Sequence, residues 1–423
     1  MKLNIENIAK IENADIEING ITVIAGENST GKSTVGKILY CLYTTFCNLE
    51  QKIYDQRFYS IAKVLVQYTH YGKMLYYAID EEPTREVSNV IRKLIVSGPE
   101  KVEENLPEDL HFLADQDDYE EIIQPIRNAV SISDEKVKEM IVREAFSQEF
   151  KNQIKPLYDT EEKSIIQLTI RGKTTTIDVT DGYKIDNEFK AKRECIIIDD
   201  PFELDQISVV KKLNKVGFLF SEEKIVDFSH QTLLNDKLSK SLNKDVSGDL
   251  IGNYYAEERL NEFKESIIKI LGGDIVEKEN RFVFHDNKLN KDIELMNLSA
   301  GMKTFTILLK LLENGDIKEQ SVIVLDEPEI HLHPSWQLKF AEILVLLQKE
   351  FNLNILLATH SPYFINALQV YSAKYEIADK TKYYLAELNE KERVTFEDVT
   401  LNPERIYKLL VKPFQTLASE EGL

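Results

Sequence analysis

The sequence predicts an α/β fold: a parallel sheet dressed with helices, carrying an antiparallel β lobe near its N-terminus and interrupted by a largely helical insertion. Three observations carry this expectation. Gly26-Glu27-Asn28-Ser29-Thr30-Gly31-Lys32-Ser33 is a complete phosphate-binding loop, entered from the apolar run Ile21–Ala25 and left through the helix-like run Thr34–Tyr43. Two later apolar runs, Ser321–Leu325 and Ile355–Ala358, each stop at polar residues, as strands buried on both faces do when they end at a site. From about residue 281 onward, strand-like and helix-like runs alternate, the pattern of a parallel α/β sheet.

The loop's context gives it chemical meaning. A strand delivers the chain and a helix carries it away, so backbone N–H groups and the positive helix end face a single anion. Gly26 and Gly31 allow the tight wrap without Cβ clashes. Lys32 is expected to reach the β- and γ-phosphates of a nucleotide, and the Ser33 hydroxyl to bind Mg²⁺.

Composition sets bounds. A chain of 423 residues, 43% hydrophobic, accommodates two to three domains or one large head with insertions. The net charge of −20 argues against a surface coated for nucleic acid, which needs clustered Lys and Arg. Basic residues do concentrate at Lys190, Lys192, Arg193, Lys211, Lys212, Lys215, Lys237, Lys240 and Lys244, either as a local groove or as a solvated helix face. Three cysteines, Cys41, Cys47 and Cys195, are odd in number and lack ligand spacing, which fits a reducing compartment. With no apolar run long enough for a membrane span and no signal-peptide pattern, a cytoplasmic location without membrane association is expected.

Along the chain, Leu3, Ile5, Ile8, Ala14, Ile16 and Ile18 alternate with polar residues, which predicts two short strands, with Asn19-Gly20 as the turn, feeding the strand before the loop. The expected organisation is an N-terminal part of the head with its β lobe over 1–48 and 160–205, an acidic helical insertion over 49–159, a helical arm over 206–271, and the C-terminal part of the head over 272–423. Within the insertion Ser133 is placed to cap a helix whose Val137, Met140, Ile141 and Ala145 share a face. Asp115-Gln116-Asp117-Asp118 reads as a solvated loop. Ile165–Ile170 and Thr174–Val179 flank Arg171-Gly172-Lys173 as a hairpin. Cys195–Ile198 is a short strand ending in Asp199-Asp200-Pro201, and Arg281–His285 is another strand. A hairpin over 382–399 and a helix over 403–417 complete the chain.

Three motifs add chemistry. The strand ending in Asp326-Glu327-Pro328 is expected to set Asp326 beside Mg²⁺ and Glu327 beside an attacking water, as general base. In Leu298-Ser299-Ala300-Gly301, Ser299 is an N-cap and Gly301 admits an anion close to the helix end. The run ending in Thr359-His360-Ser361-Pro362 places an imidazole where it can bond the γ-phosphate or the water.

The order of these motifs, together with Asp326-Glu327-Pro328-Glu329-Ile330-His331-Leu332-His333-Pro334, resembles the ABC-type ATPase head of the OLD-like and SMC-like (AAA family, RecF-like) branch. The likeness covers about the first forty residues and about 270–423. It implies ATP and Mg²⁺ as cofactors. It places Gly26, Asn28, Ser29, Thr30, Gly31, Lys32, Ser33 and Thr34 around the nucleotide, with Ser33 and Asp326 on the metal and Glu327 and His360 in catalysis. Ser299 and Gly301 come from a second copy, in a homodimer or higher oligomer docked head to tail around ATP. The glutamine that in this branch joins the metal to the inserted arm has no firm counterpart; Gln206 and Gln67 are candidates. His331 and His333 are candidates for communication between copies. About sixty residues follow His360, too few for the Toprim nuclease domain of OLD proteins. The resemblance therefore extends to ATPase subunits of bacterial antiphage defence systems, which act with a separate effector nuclease or toxin. A RecF-like or SMC-like repair clamp on DNA, and an ATP-gated scaffold with little turnover, are the alternatives.

Overall fold

The sheet is organised around the strand that delivers the chain to the glycine-rich loop. In the computed structural model, residues 1–68, 81–106, 119–207, 227–240, 263–265, 267–278 and 281–420 are described. The strands are β1 (Lys2–Ile8), β2 (Ile11–Glu17), β3 (Ile21–Gly26), β4 (Ile165–Ile170), β5 (Lys173–Asp178), β6 (Lys184–Asp186), β7 (Cys195–Ile198), β8 (Gly273–Lys278), β9 (Arg281–Asp286), β10 (Lys291–Glu294), β11 (Val322–Asp326), β12 (Asn354–Thr359), β13 (Thr381–Leu388) and β14 (Val394–Asp398). The helices are α1 (Lys32–Phe46), α2 (Leu49–Tyr68), α3 (Glu81–Ser97), α4 (Tyr119–Ser131), α5 (Asp134–Phe150), α6 (His230–Leu238), α7 (Ala300–Glu313), α8 (Pro334–Phe351), α9 (Pro362–Lys374) and α10 (Glu404–Glu420).

By packing, the chain divides into two units, Met1–Cys47 with Ala145–Val209 and Phe228–Leu423, and Asn48–Glu144 with Val210–Asp227. The first unit holds an eleven-stranded sheet in the order β6-β5-β4-β1-β2-β14-β13-β3-β12-β11-β7. From β13 to β7 every neighbouring pair is parallel. β3 and β7 are buried at every residue, and β11 and β12 at all but one terminal residue each. Covered faces on both sides remove the need for polar alternation. β1 and β2, paired antiparallel, do alternate buried and exposed positions. A separate antiparallel sheet runs β10-β9-β8, so the predicted strand at Arg281–His285 belongs to a small sheet of its own.

The second unit packs α2, α3 and α4 through Ile61, Leu65, Ile91, Leu94, Ile122 and Ile126. Arg57 ties it further, donating to the Ile132 carbonyl (2.6 Å) and pairing with Asp134 (2.8 Å).

Several local expectations take a different form. Asn19-Gly20 does not close a hairpin. β2 and β3 are separated in the sheet by β14 and β13, and the β1–β2 reversal is made at Ala9-Lys10. Gly20 (φ 73°) sits so close to Lys380 that a Cβ would lie 2.3 Å from its carbonyl oxygen, a contact only glycine permits. In α5, the Ser133 hydroxyl accepts from the Lys136 N–H (3.2 Å) and Val137, Ile141 and Ala145 are buried. Met140 is 53% exposed, because it lies off that stripe. Arg171 and Gly172 both have positive φ (50° and 78°), the left-handed pair of the tight two-residue hairpin turn. Of the basic set, Lys237 pairs with Glu194 (2.8 Å) and Lys240 with Asp316 (2.7 Å), so these two lysines are neutralised within the chain. Lys211, Lys212, Lys215 and Lys244 lie outside the described residues, as do Asp115–Asp118 and most of the expected arm over 206–271. The three cysteines are buried as free thiols. No described helix is long and apolar enough to cross a membrane.

Candidate functional site

Four parallel strands, β3, β12, β11 and β7, lie side by side in that order and end at the same edge of the sheet. The register aligns their ends: Thr359 pairs with Ala25, Asp326 with Ala358, and Leu325 with Ile198. The chain therefore releases, on one edge, the glycine-rich loop after β3, His360 after β12, Asp326-Glu327 at the end of β11 and Asp199 after β7. Ligands of parallel α/β sheets bind outside such carboxyl ends. A cleft of about 560 Å³ opens there, lined by residues 28–34 of the loop and α1, by Asp199, Asp326 and Glu327, and by Ala9, Lys10, Leu157 and Ile330.

The loop is wound ready for an anion. Ser29 and Gly31 have φ of 62° and 74°, and the Thr30 hydroxyl closes the turn on the Glu27 carbonyl at 2.8 Å. Lys32 is 5% exposed. Its Nζ donates to the carbonyls of Gly26 (3.0 Å) and Glu27 (2.8 Å) and lies 3.9 Å from Glu327 Oε1. Burial lowers the pKa of this ammonium, while Glu327, Asp326 and Glu329 counter the shift. Behind the loop, α1 lies almost on β11: a Cβ at Gly36 would be 2.6 Å from Val324 Cγ1. Nothing near Gly36 in the sequence marks this contact, because its partner lies on a distant strand.

The acidic strand end is equally specific. Asp326 accepts a hydrogen bond from the Ser33 side chain, and burial raises its pKa, with Glu327 and Asp199 adding to the rise. Its Oδ1 is buried without a partner. Glu327 has φ 47°, a left-handed conformation that costs a non-glycine residue of order 1 kcal/mol. Its N–H still bonds the Ala358 carbonyl (2.9 Å), so the residue is anchored to β12 while Oε1 lies 3.2 Å from His360 Nδ1.

Glu329, quoted in the motif but given no role there, organises the β12 end. Its Oε1 accepts from the Thr359 hydroxyl and from the His360 N–H (3.2 Å). It is 2% exposed, and burial pushes its carboxyl above the ordinary range. His333 caps α8 by accepting from the Ser335 N–H (3.3 Å), and the His331 ring meets Phe202 edge-on at 5.7 Å.

Ser299 and Gly301 are not brought to this cleft within one chain. Ser299 is exposed and caps α7, its hydroxyl accepting from the Met302 N–H (3.3 Å). Gly301 is buried against its own chain, where a Cβ would meet His331 O and Leu332 Cδ2, each at 3.1 Å. Close packing within the chain is thus one demand on this glycine. Gln206 is exposed at the end of the turn over 201–206, and the side chain of Gln67 lies outside the described set.

A buried ionic chain reaches the cleft from behind and went unnoticed in the sequence. Asp199 Oδ2 lies 2.9 Å from His230 Nε2, and His230 Nδ1 lies 2.8 Å from Glu149 Oε1. Lys37 of α1 closes the chain on Glu149 at 3.4 Å. Burial works to lower the histidine's pKa, but the hydrogen bonds and charges of Asp199 and Glu149 prevail and push it up to about 9. Desolvation likewise opposes both carboxylates, yet His230 holds each below its ordinary value. The available signal was an apolar strand, β7, ending in an acid, as β11 does; nothing in the sequence tied it to residues 149 and 230.

Residues 129–366 match the family described as "AAA domain, putative AbiEii toxin, Type IV TA system". Among solved structures the chain is similar to an SMC head domain from Thermotoga maritima, with 12% identity, 94% of this chain and 98% of that one covered, and a TM-score of 0.39. It is also similar to an Smc head domain with an extended coiled coil bound to the C-terminal domain of ScpA, derived from Pyrococcus furiosus, with 10% identity, 97% and 98% covered, and a TM-score of 0.40. The family match takes in β7, the Ser299 helix, the Asp326-Glu327 strand end and His360, and spans more than half of the sequence: the chain belongs to this AAA-domain family.

Proposed function

We propose that this chain binds ATP with Mg²⁺ in the cleft and hydrolyses it as a head-to-tail dimer, as the regulatory subunit of a bacterial antiphage system that controls a separate effector nuclease or toxin. The observation that carries the reading is the convergence of Lys32, Ser33, Asp326 and Glu327 on one cleft, with His360 against Glu327. The residues fit the metal: Ser33 and Asp326 are joined, and Asp326 keeps a buried oxygen free, the hard-oxygen donor set that Mg²⁺ shares with phosphates. When bound, the ion would screen the triphosphate and polarise its oxygens. Lys32 would exchange its carbonyl partners for phosphate oxygens. Glu327 would orient the attacking water and take its proton, with His360 holding the carboxylate from the side. Ser299, exposed at the tip of a fourteen-residue helix, would reach the triphosphate of a second copy and close the site against water. The family's toxin–antitoxin description supports the effector half of the proposal.

The test is steady-state ATP turnover and mass in solution for wild type and Glu327→Gln. Wild type is expected to hydrolyse ATP, and Glu327→Gln to retain it and accumulate as a dimer. A Glu327→Gln protein that turns over at the wild-type rate removes Glu327 as the base. Equal, negligible rates for both would point to an ATP-gated scaffold.

A further inference from the structure

We infer that Asp199 is an additional carboxylate for the nucleotide's divalent cation, and that His230 and Glu149 are positioning residues that present it. The inference rests on the nucleotide reading of the cleft and adds to it a cation contact supplied from β7.

Placement comes from register. Leu325 faces Ile198 on adjacent parallel strands, so Asp326 and Asp199 follow side by side, about 5 Å apart by ordinary strand spacing. Both line the cleft.

Each of the two acids keeps one oxygen, Oδ1, buried and without a partner. An orphaned buried acceptor is costly, more so when charged. Two in one cleft, on neighbouring like charges, leave a deficit that a cation bridging them would relieve. A pair of carboxylates and the Ser33 hydroxyl do not make a cage by themselves, so the cation would arrive with its phosphate oxygens.

The residues behind Asp199 allow it little freedom. Oδ2 is held by His230 Nε2 at 2.9 Å, and the other ring nitrogen is gripped by both oxygens of Glu149 at 2.8 and 2.9 Å. The His230 N–H also donates to Glu149 (3.3 Å), and the Tyr40 ring meets the imidazole edge-on at 6.0 Å. Glu149 and His230 side chains are 2% and 6% exposed. Burying such ions brings little stability once desolvation is counted; what this arrangement achieves is a fixed direction for the remaining oxygen. A carboxylate–histidine pair behind an oxygen ligand is a device that orients metal ligands.

The test uses the full chain and a fluorescent ATP analogue, titrated in EDTA and across a Mg²⁺ series, with Mn²⁺ binding followed by electron paramagnetic resonance. Asp199→Asn keeps the shape and removes the charge. It is expected to weaken Mn²⁺ binding in the presence of nucleotide about 10-fold or more while leaving metal-free nucleotide binding equal or tighter, because one repulsive carboxylate has gone. His230→Gln is expected to shift the metal dependence in the same direction. An unchanged metal requirement in Asp199→Asn overturns the inference, and so does an equal loss of binding with and without metal, which marks a purely structural role. If wild type itself binds no nucleotide in either condition, it is the reading of the cleft that fails.

Discussion

Replacing Gly36 by alanine tests whether the packing of α1 on β11 sets the geometry of the cleft. The added Cβ would lie 2.6 Å from Val324 Cγ1, about 1 Å inside a comfortable carbon–carbon separation. Val324 cannot yield: it is β-branched, 3% exposed and clamped between β12 and β7, and its χ1 is stiff. The helix must lift instead, carrying Lys32 and Ser33 at its first turn away from Asp326. Overpacking of this size costs about 1–3 kcal/mol, partly offset by the roughly 1 kcal/mol that alanine gains over glycine in a helix. A net destabilisation of about 0–2 kcal/mol is expected, with a much larger effect on function, since a misplacement of about 1 Å can cost on the order of 100-fold in rate. Denaturant unfolding and steady-state ATP turnover of Gly36→Ala, Val324→Ala and the double variant make the measurement. Val324→Ala removes the clashing methyl groups, so the double variant is expected to recover about 1–3 kcal/mol relative to the sum of the single changes. Additivity within about 0.5 kcal/mol, or wild-type turnover in Gly36→Ala, would refute the reasoning.

Other outcomes follow from single contacts. Lys32→Ala removes a buried cation whose proposed charge-assisted bonds to phosphate would be worth about 1.5–3 kcal/mol, so nucleotide affinity measured by fluorescence titration is expected to fall about 10- to 100-fold; a smaller loss would separate Lys32 from the phosphates. Thr359→Val strips Glu329 of its hydroxyl donor; with Glu329 less firmly held, turnover is expected to fall more than nucleotide affinity, and equal losses would deny Glu329 its organising role. Lys310 is fully buried, with its Nζ 3.3 Å from the Phe282 ring centroid. Burial pushes it down from 10.5 to about 8. Because the folded pKa lies below the unfolded one, the charged group destabilises the fold fully below about pH 8, and the cost fades as pH rises to 10.5. Lys310→Met is therefore expected to gain stability relative to wild type near pH 7, the margin shrinking at pH 10; unfolding curves with no such pH-dependent margin would contradict this.

Local chemistry made much of the site legible. A glycine-rich loop between an apolar run and a helix, a serine three residues before the amide it caps, and apolar runs ending in Asp326-Glu327 or Thr359-His360 are properties of neighbouring residues. They survive in the sequence because backbone conformation and strand burial act over a few positions. The division into a half-exposed lobe and a fully buried parallel core was readable in the same way, from alternation in β1 and β2 against the largely apolar runs of β3 and β11.

Strand order, by contrast, depends on partners far apart in the chain. Only folding places β7 beside β11 and sets Asp199 next to Asp326. Only folding gathers Glu149, His230 and Lys37 behind Asp199, since a buried charge needs counter-charges from wherever the fold supplies them. The same holds where sequence periodicity misled: Asn19-Gly20 turns the chain toward a strand three places away in the sheet, and Gly36 is small because Val324 stands against it. Residue chemistry named the parts of the cleft; the cost of burying polar and bulky groups decided which distant residues had to meet there.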